Sequence, residues 1–220
     1  THYASAQNNS DTKDLKNSNE VFFNDLELNI QKLNWGNYDS IRLALNSAIH
    51  HYEEESLLCK AGYYNALKGR VFFEEEKNDS SIASFIAASK YLEDSCSHLY
   101  GYYLYNSWSL LYLNLQEYEL ADSVSQIALF HAKLADNKKL EFNVLTNQSV
   151  IYSEQSKFSK AINIMVKVNE EAKRIGDNYH IQSSLQNLGA IYLWKEEYKK
   201  ALTHLLAAKG ILESNHGSAH

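Results

Sequence analysis

A repeat with a period of 40 residues constrains the fold more than any other feature of this sequence. One position keeps an aromatic side chain in four successive copies, and another keeps a small side chain. The aromatic position holds Phe72, Tyr112, Tyr152 and Tyr192, and the small position holds Ser81, Ala121, Ala161 and Ala201. The register does not slip between copies, so the chain is built from repeats of one structural unit.

Each copy predicts a pair of helices. In the last copy Leu185, Leu188 and Tyr192 recur at intervals of three and four residues, as one face of a helix requires. Ala201 and Leu205 are spaced in the same way on a second helix. A single hairpin cannot bury both of its faces, whereas stacked hairpins can, so we predict an all-α solenoid of about five hairpins. The repeats are expected near residues 22–61, 62–101, 102–141, 142–181 and 182–215.

The last copy also carries a recognisable signature. It reads L-x2-L-G-x2-Y from Leu185 to Tyr192, followed by A-x3-L-x2-A ending at Ala208. This pattern resembles the tetratricopeptide repeat, with Leu185 at the usual tryptophan position. The 40-residue period and the Ile175-Gly176-Asp177 ending are similar to a long-repeat subgroup found in kinesin light chains, Rap-type and MalT-like regulators and many bacterial sensor proteins. The resemblance implies a right-handed α-α superhelix over residues 21–215.

The resemblance also implies a ligand groove, because the first helix of each repeat lines the concave side in this family. By register, the expected groove residues are Tyr63, Arg70, Phe73, Tyr103, Asn106, Asn143, Asn147, Gln186, Asn187 and Trp194. In relatives, an asparagine at the position of Asn147 and Asn187 bonds the backbone of an extended peptide, since an amide supplies a donor and an acceptor together. The upstream counterparts are Ser107 and Leu67, so the ladder has two rungs. The alternative is that these asparagines bond only their own helix surface or each other.

Composition and motifs exclude other classes of function. The formal net charge of -6 disfavours nucleic-acid and anionic-lipid partners, which bind through Lys and Arg. No apolar run approaches the roughly 20 residues that span a bilayer. His51 and Glu54 are close enough along a helix to suggest a metal site, but a solvated helix end explains them equally. No nucleophile elbow, phosphate loop or HExxH motif occurs, so we expect no enzyme activity, no cofactor and no metal.

The cysteines and the N-terminus bear on location. Cys59 and Cys96 match no zinc spacing and are expected to be thiols, with a disulfide as the alternative in an oxidising compartment. Ala4-Ser5-Ala6 matches the small-residue pattern before a signal-peptide cleavage site, which favours a periplasmic or cell-envelope location over a cytoplasmic one. Residues 1–20 are expected to be disordered and 216–220 to form a tail.

The last helix bears on the wider context. Leu202 and Leu206 lie where their counterparts Ile162 and Val166 should pack on a following repeat. We therefore expect either a continuing chain or an oligomer contact at this end. The favoured function is a module that binds protein or peptide, as the sensory N-terminal domain of a larger bacterial signalling or transcription-regulating protein. A structural adaptor in a protein assembly is the alternative.

Overall fold

The computed structural model describes residues 37–92 and 96–217, with side chains as far as Glu213. The first helix of the repeat expected at 22–61 and the segment 1–20 lie outside the described residues. The described residues form nine α-helices and no strand, which confirms the predicted all-α fold. The helices are α1 (Tyr38–Glu54), α2 (Leu58–Glu74), α3 (Asn78–Tyr91), α4 (His98–Asn114), α5 (Tyr118–Leu134), α6 (Lys138–Glu154), α7 (Phe158–Ile175), α8 (Asn178–Trp194) and α9 (Tyr198–Gly217).

The spacing of the helices follows the sequence repeat. Each helix begins 20 residues after the one before it, so two helices fill one 40-residue period. The first helices of the hairpins start at Leu58, His98, Lys138 and Asn178. These starts lie four residues ahead of the repeat limits drawn from the sequence at 62, 102, 142 and 182. The last helix runs to Gly217 and so includes the first residues of the expected tail.

Most of these helices end in the same backbone turn. One residue after the helix takes a positive φ, and the next N–H donates to a carbonyl five residues back, as Lys157 does to Tyr152 at 2.8 Å. The positive-φ residues are Ser56, Glu76, Gln116, Asp136, Ser156, Gly176 and Glu196, again at multiples of 20. Only one of them is glycine, although glycine adopts this conformation most easily. This turn lets a chain with 8 glycines and no proline end its helices on schedule.

The chain divides into two compact units, and unit 1 ends at Cys96. In unit 1, α1 packs on α2 and α2 packs on α3. Its core contains Leu45, Val71 and Phe85, all fully buried. At the small position of the repeat, the Ser81 hydroxyl donates to the Gly69 carbonyl at 2.8 Å, so α2 and α3 cross closely there.

A disulfide joins the two ends of unit 1's second hairpin. Cys59, in the first turn of α2, is bonded to Cys96, which follows α3, and their Cα atoms are 5.5 Å apart. The expectation of two unpaired thiols is therefore wrong. The two cysteines are 37 residues apart, nearly one repeat, and a hairpin returns the chain to its starting end over that distance. No short-range spacing motif marks such a pair in a sequence.

Unit 2 begins at Ser97 and contains α4 to α9. Each helix packs on the next, and the first helices also meet, α4 with α6 and α6 with α8. Within the described part of unit 2, the second helices α5, α7 and α9 make no contact with one another. Ala121, Ala161 and Ala201 are all fully buried, so the small position is a helix crossing in each of these hairpins. Packing between neighbours is the arrangement expected of stacked hairpins.

Two glycines at one repeat position offer a test of this packing. A Cβ added at Gly69 would lie 2.5 Å from two ring carbons of Phe85, whose side chain is fully buried. A Cβ at Gly189 would lie 2.6 Å from two carbons of Leu205, whose side chain is partly exposed. Gly69→Ala should lower the free energy of unfolding by about 1–3 kcal/mol, because the Phe85 ring has no room to move. Gly189→Ala should cost less than about 1 kcal/mol, since Leu205 can turn aside and alanine favours the helix.

Urea denaturation of both variants, followed by far-ultraviolet circular dichroism, measures this difference. Equal losses at the two positions would show that the mobility of the opposing side chain does not control the result.

Candidate functional site

The face on which α4, α6 and α8 meet in unit 2 carries most of the polar groups singled out by the sequence. Seven of the ten expected groove residues belong to these three helices, and none of the seven is charged. They are Tyr103, Asn106, Asn143, Asn147, Gln186, Asn187 and Trp194. We call this surface the inner face of unit 2. It is bounded by helices that lie side by side, so its side chains can bond across from one repeat to the next.

Asn106 and Asn147 form one such cross-helix bond. The Nδ2 of Asn147 on α6 donates to the Oδ1 of Asn106 on α4 at 2.9 Å, and both side chains are half-buried. Within the described part of the chain, the Nδ2 of Asn106 and the Oδ1 of Asn147 make no further hydrogen bond. The linked pair therefore presents one donor and one acceptor side by side, which is the hydrogen-bonding pattern of one peptide unit.

Asn187 is bonded differently, although it shares its repeat position with Asn147. Its Nδ2 donates to the Ser183 carbonyl of its own helix at 2.9 Å. The residue that corresponds to Asn106 in the preceding repeat is Thr146, whose hydroxyl donates to the Phe142 carbonyl at 2.8 Å. The two expected rungs of the ladder are thus not equivalent, and the Nδ2 groups follow the alternative in which the asparagines bond each other or their own helix.

A second polar chain crosses the same three helices more deeply. The Nδ2 of Asn143 on α6 donates to the Tyr102 hydroxyl on α4 at 3.3 Å. The Oδ1 of Asn143 lies 3.1 Å from the Nε2 of His180 on α8, and the Nδ1 of His180 lies 2.8 Å from the Oδ2 of Asp177. Asp177 also caps α8, since its Oδ1 accepts the backbone N–H of His180 at 3.2 Å. Tyr102, His180 and the Asp177 side chain are buried.

The charge of Asp177 is held by its partner. Burial alone would raise the pKa of the Asp177 carboxyl, but hydrogen bonds from the side chain and backbone of His180 outweigh it and lower that pKa below its ordinary value. Both ring nitrogens of His180 are occupied, one by a carboxylate and the other by an amide. No hydroxyl or thiol stands at the Nε2 position to be activated as a nucleophile. The arrangement therefore connects helices and is not set up as a catalytic dyad.

Sequence reasoning missed Tyr102, Asp177 and His180. One signal for Asp177 was present, because an Asp or Asn directly before a helix is a preferred N-cap. Asn137 stands at the same position 40 residues earlier and caps α6, where its Oδ1 accepts the backbone N–H groups of Lys139 and Leu140. The pairing of His180 with Asn143 had no such signal, since it depends on the distance between two helices.

The remaining expected residues of unit 2 differ in exposure. Tyr103 is half-buried and packs edge-on against Tyr102, with ring centroids 5.2 Å apart. Gln186 is exposed, and Trp194 at the end of α8 is 51% exposed. These two side chains, together with the Asn106–Asn147 pair, are the accessible part of the expected groove in unit 2.

The other three expected residues belong to unit 1. Tyr63 is only 1% exposed and packs edge-on against Tyr64, so it is a core residue and does not line an open surface. Arg70 is bonded to Glu74 one turn along its own helix, at 2.7 Å, and lies over the Phe73 ring at 5.6 Å from its centroid. Its charge is therefore balanced within α2.

Comparison with known proteins agrees with the fold. No protein-family model matches this sequence. No significant match was found among curated proteins. Among solved structures, the chain is similar to BtubC (BKLC) from P. vanneervenii, with a TM-score of 0.73 and 16% sequence identity. The match covers 87% of this chain and 78% of that chain. At this identity the likeness shows a shared helical architecture alone.

The described helices were also compared with the dimensions of a bilayer. In residues 37–92 and 96–217, no helix is both long enough and apolar enough to cross a membrane.

Proposed function

We propose that this chain is a tetratricopeptide-type module that binds an extended segment of another protein along the inner face of unit 2. The observation that carries this proposal is the cross-helix pair of Asn106 and Asn147, which leaves one amide donor and one amide acceptor next to each other. Because their mutual bond fixes both side chains, little conformational entropy remains to be lost when a peptide binds.

The surroundings of the pair favour an uncharged ligand segment. Tyr103, Gln186 and Trp194 add aromatic and amide contact area without charge. Aromatic side chains give large contact area at low entropic cost and are frequent in binding hot spots. A peptide held here would be recognised by its backbone and by apolar side chains, and not by a terminal carboxylate.

The amide pair can be tested with peptides selected from a random library on the intact chain. Asn106→Ala and Asn147→Ala should each weaken binding of a selected peptide by about tenfold, the effect of losing one or two net hydrogen bonds. Asn187→Ala should weaken it less, because the Asn187 amide is bonded within its own helix. Binding is measured by fluorescence polarisation of labelled peptide.

Asn163→Ala serves as the matched control. Asn163 is an exposed asparagine on α7, a second helix that does not contribute to the inner face. It should leave binding unchanged. If Asn106→Ala and Asn147→Ala bind selected peptides as wild type does, the proposed site is wrong.

We further propose that the module is the sensory N-terminal part of a larger bacterial signalling or transcription-regulating protein in the periplasm or cell envelope. The Cys59–Cys96 disulfide supports this location, because disulfides persist in oxidising compartments and are rare in the cytosol. The Ala4-Ser5-Ala6 pattern points the same way.

A structural adaptor is the second candidate. It is favoured by the end of unit 2, where Leu202 and Leu206 on α9 are more than half exposed. Their counterparts on α7 are Ile162, which is half-buried, and Val166, which is less exposed. An apolar end of this kind suits a contact within an assembly.

A further inference from the structure

The outer face of α5 carries an apolar stripe that the other second helices lack. The stripe consists of Leu120, Ile127, Phe130 and Leu134, which are 47%, 41%, 57% and 49% exposed. Forty residues on, the same positions of α7 hold the exposed residues Lys160, Lys167, Glu170 and Arg174. In α1 they hold the exposed residues Ser40, Ser47, His50 and Glu54. The repeat itself therefore does not require apolar residues on this face.

The spacing of the stripe suits another helix. Leu120, Ile127 and Leu134 are seven residues apart, and Phe130 follows Ile127 by three. This is the a and d spacing of a helix that packs lengthwise against a partner helix. The stripe lies opposite the buried side of α5, which faces the core through Ala121, Ala128 and Ala132 among others. It extends for about 21 Å along the helix axis.

The flanking charges identify which helix fits. Glu119 and Lys133 lie on the same flank of the stripe, near opposite ends of α5, and both are exposed. Gln126 lies between them on that flank. When two copies of α5 pack antiparallel, this flank of one meets the same flank of the other. Glu119 of each copy then approaches Lys133 of the other, and the two Gln126 side chains meet near the two-fold axis.

A parallel arrangement gives no such match, because this flank would then face the opposite one, which carries Val124 and His131. Glu119 is not held elsewhere: its contacts are a 3.9 Å approach of Lys157 and a 3.5 Å hydrogen bond from Gln155, and its side chain is 86% exposed. We propose that the α5 stripe binds the α5 stripe of a second copy of this chain in an antiparallel, two-fold symmetric dimer.

The size of the stripe sets the expected strength. One helix pair buries less than the roughly 800 Å² per partner of a stable interface, so the dimer should be weak, with a dissociation constant on the order of 10 μM. Sedimentation equilibrium of the full chain over a range of concentrations measures it. Replacing the stripe with the residues that α7 holds (Leu120→Lys, Ile127→Lys, Phe130→Glu and Leu134→Arg) should abolish dimerisation while leaving the fold intact.

Leu202→Lys with Leu206→Lys is the matched control on the other exposed apolar face. It should leave the dimer unchanged. Loss of association in this control with retention in the α5 variant would overturn the proposal and assign the contact to α9. A wild-type chain that is monomeric up to millimolar concentration would also overturn it, and would leave the stripe to a helix of another protein.

Charge reversal tests the antiparallel geometry directly. Lys133→Glu alone places two acidic side chains at each flank contact, and Glu119→Lys alone places two basic ones there. Each variant should dimerise about tenfold more weakly than wild type. An equimolar mixture of the two should recover wild-type affinity, because every flank contact in the mixed dimer pairs opposite charges. A misfolding effect would not be corrected by mixing, and failure of the mixture to recover affinity would reject the antiparallel arrangement.

Discussion

Removal of the Cys59–Cys96 disulfide is expected to lower the free energy of unfolding of unit 1 by about 4 kcal/mol. The bond closes a loop over a sequence separation of 37 residues, and cross-linking restricts the unfolded chain more as the loop grows longer. The relevant variant is Cys59→Ser with Cys96→Ser, which removes the bond and leaves no reactive thiol. Hydrogen exchange followed by mass spectrometry should show the loss of protection helix by helix.

Unit 2 supplies the internal control for this prediction. The disulfide lies wholly within unit 1, so protection in α4 to α9 should change little while protection in α2 and α3 falls. Treatment of wild type with a reductant should reproduce the effect of the double substitution. Equal losses of protection in both units would mean that the two units unfold together and that the disulfide supports the whole chain.

The repeat register accounts for what the sequence could predict. Positions such as Ala121, Ala161 and Ala201 must be small because two helices cross there, and all three are fully buried. A requirement of this kind is local to one hairpin and recurs every 40 residues, so it is visible in a single sequence. The all-α fold and the succession of hairpins follow from it.

What lies between repeats could not be predicted in the same way. Tyr63 and Tyr103 share one repeat position, yet Tyr63 is in the core and Tyr103 is half-buried. Asn147 and Asn187 also share a position, but only Asn147 has an asparagine opposite it on the preceding first helix. The register states which face of a helix a residue occupies. It does not state which side chain of the neighbouring helix meets that face.

The buried chain through His180 is a case of this kind, and it leads to the second large expected effect. His180→Leu should lower the free energy of unfolding of unit 2 by about 3–5 kcal/mol at neutral pH, because it leaves the buried Asp177 carboxylate without its partner. It also removes the group that lies beside the Oδ1 of Asn143. Urea denaturation followed by tryptophan fluorescence measures the loss, since Trp194 lies at the end of the same helix.

The preceding hairpin provides the matched control. At the corresponding positions α6 begins with Asn137 as its cap and Leu140 in place of His180. Asp177→Asn with His180→Leu copies that pair into α8, keeps an N-cap and removes the buried charge. The double variant should recover most of the stability lost by His180→Leu. If it does not, the loss reflects packing around the imidazole ring and not an unpaired carboxylate.

The pH dependence separates the same two explanations. In wild type the pKa of Asp177 is lowered on folding, so its stabilisation is complete above the ordinary Asp pKa of about 4 and is lost as the pH falls through the lowered value. In His180→Leu, burial acts without the hydrogen bonds from the imidazole, and the pKa of Asp177 should rise above its ordinary value. The penalty for burying the carboxylate then disappears as acid protonates it. The stability difference between wild type and His180→Leu should therefore shrink from pH 7 to pH 3, whereas a packing defect would leave it constant.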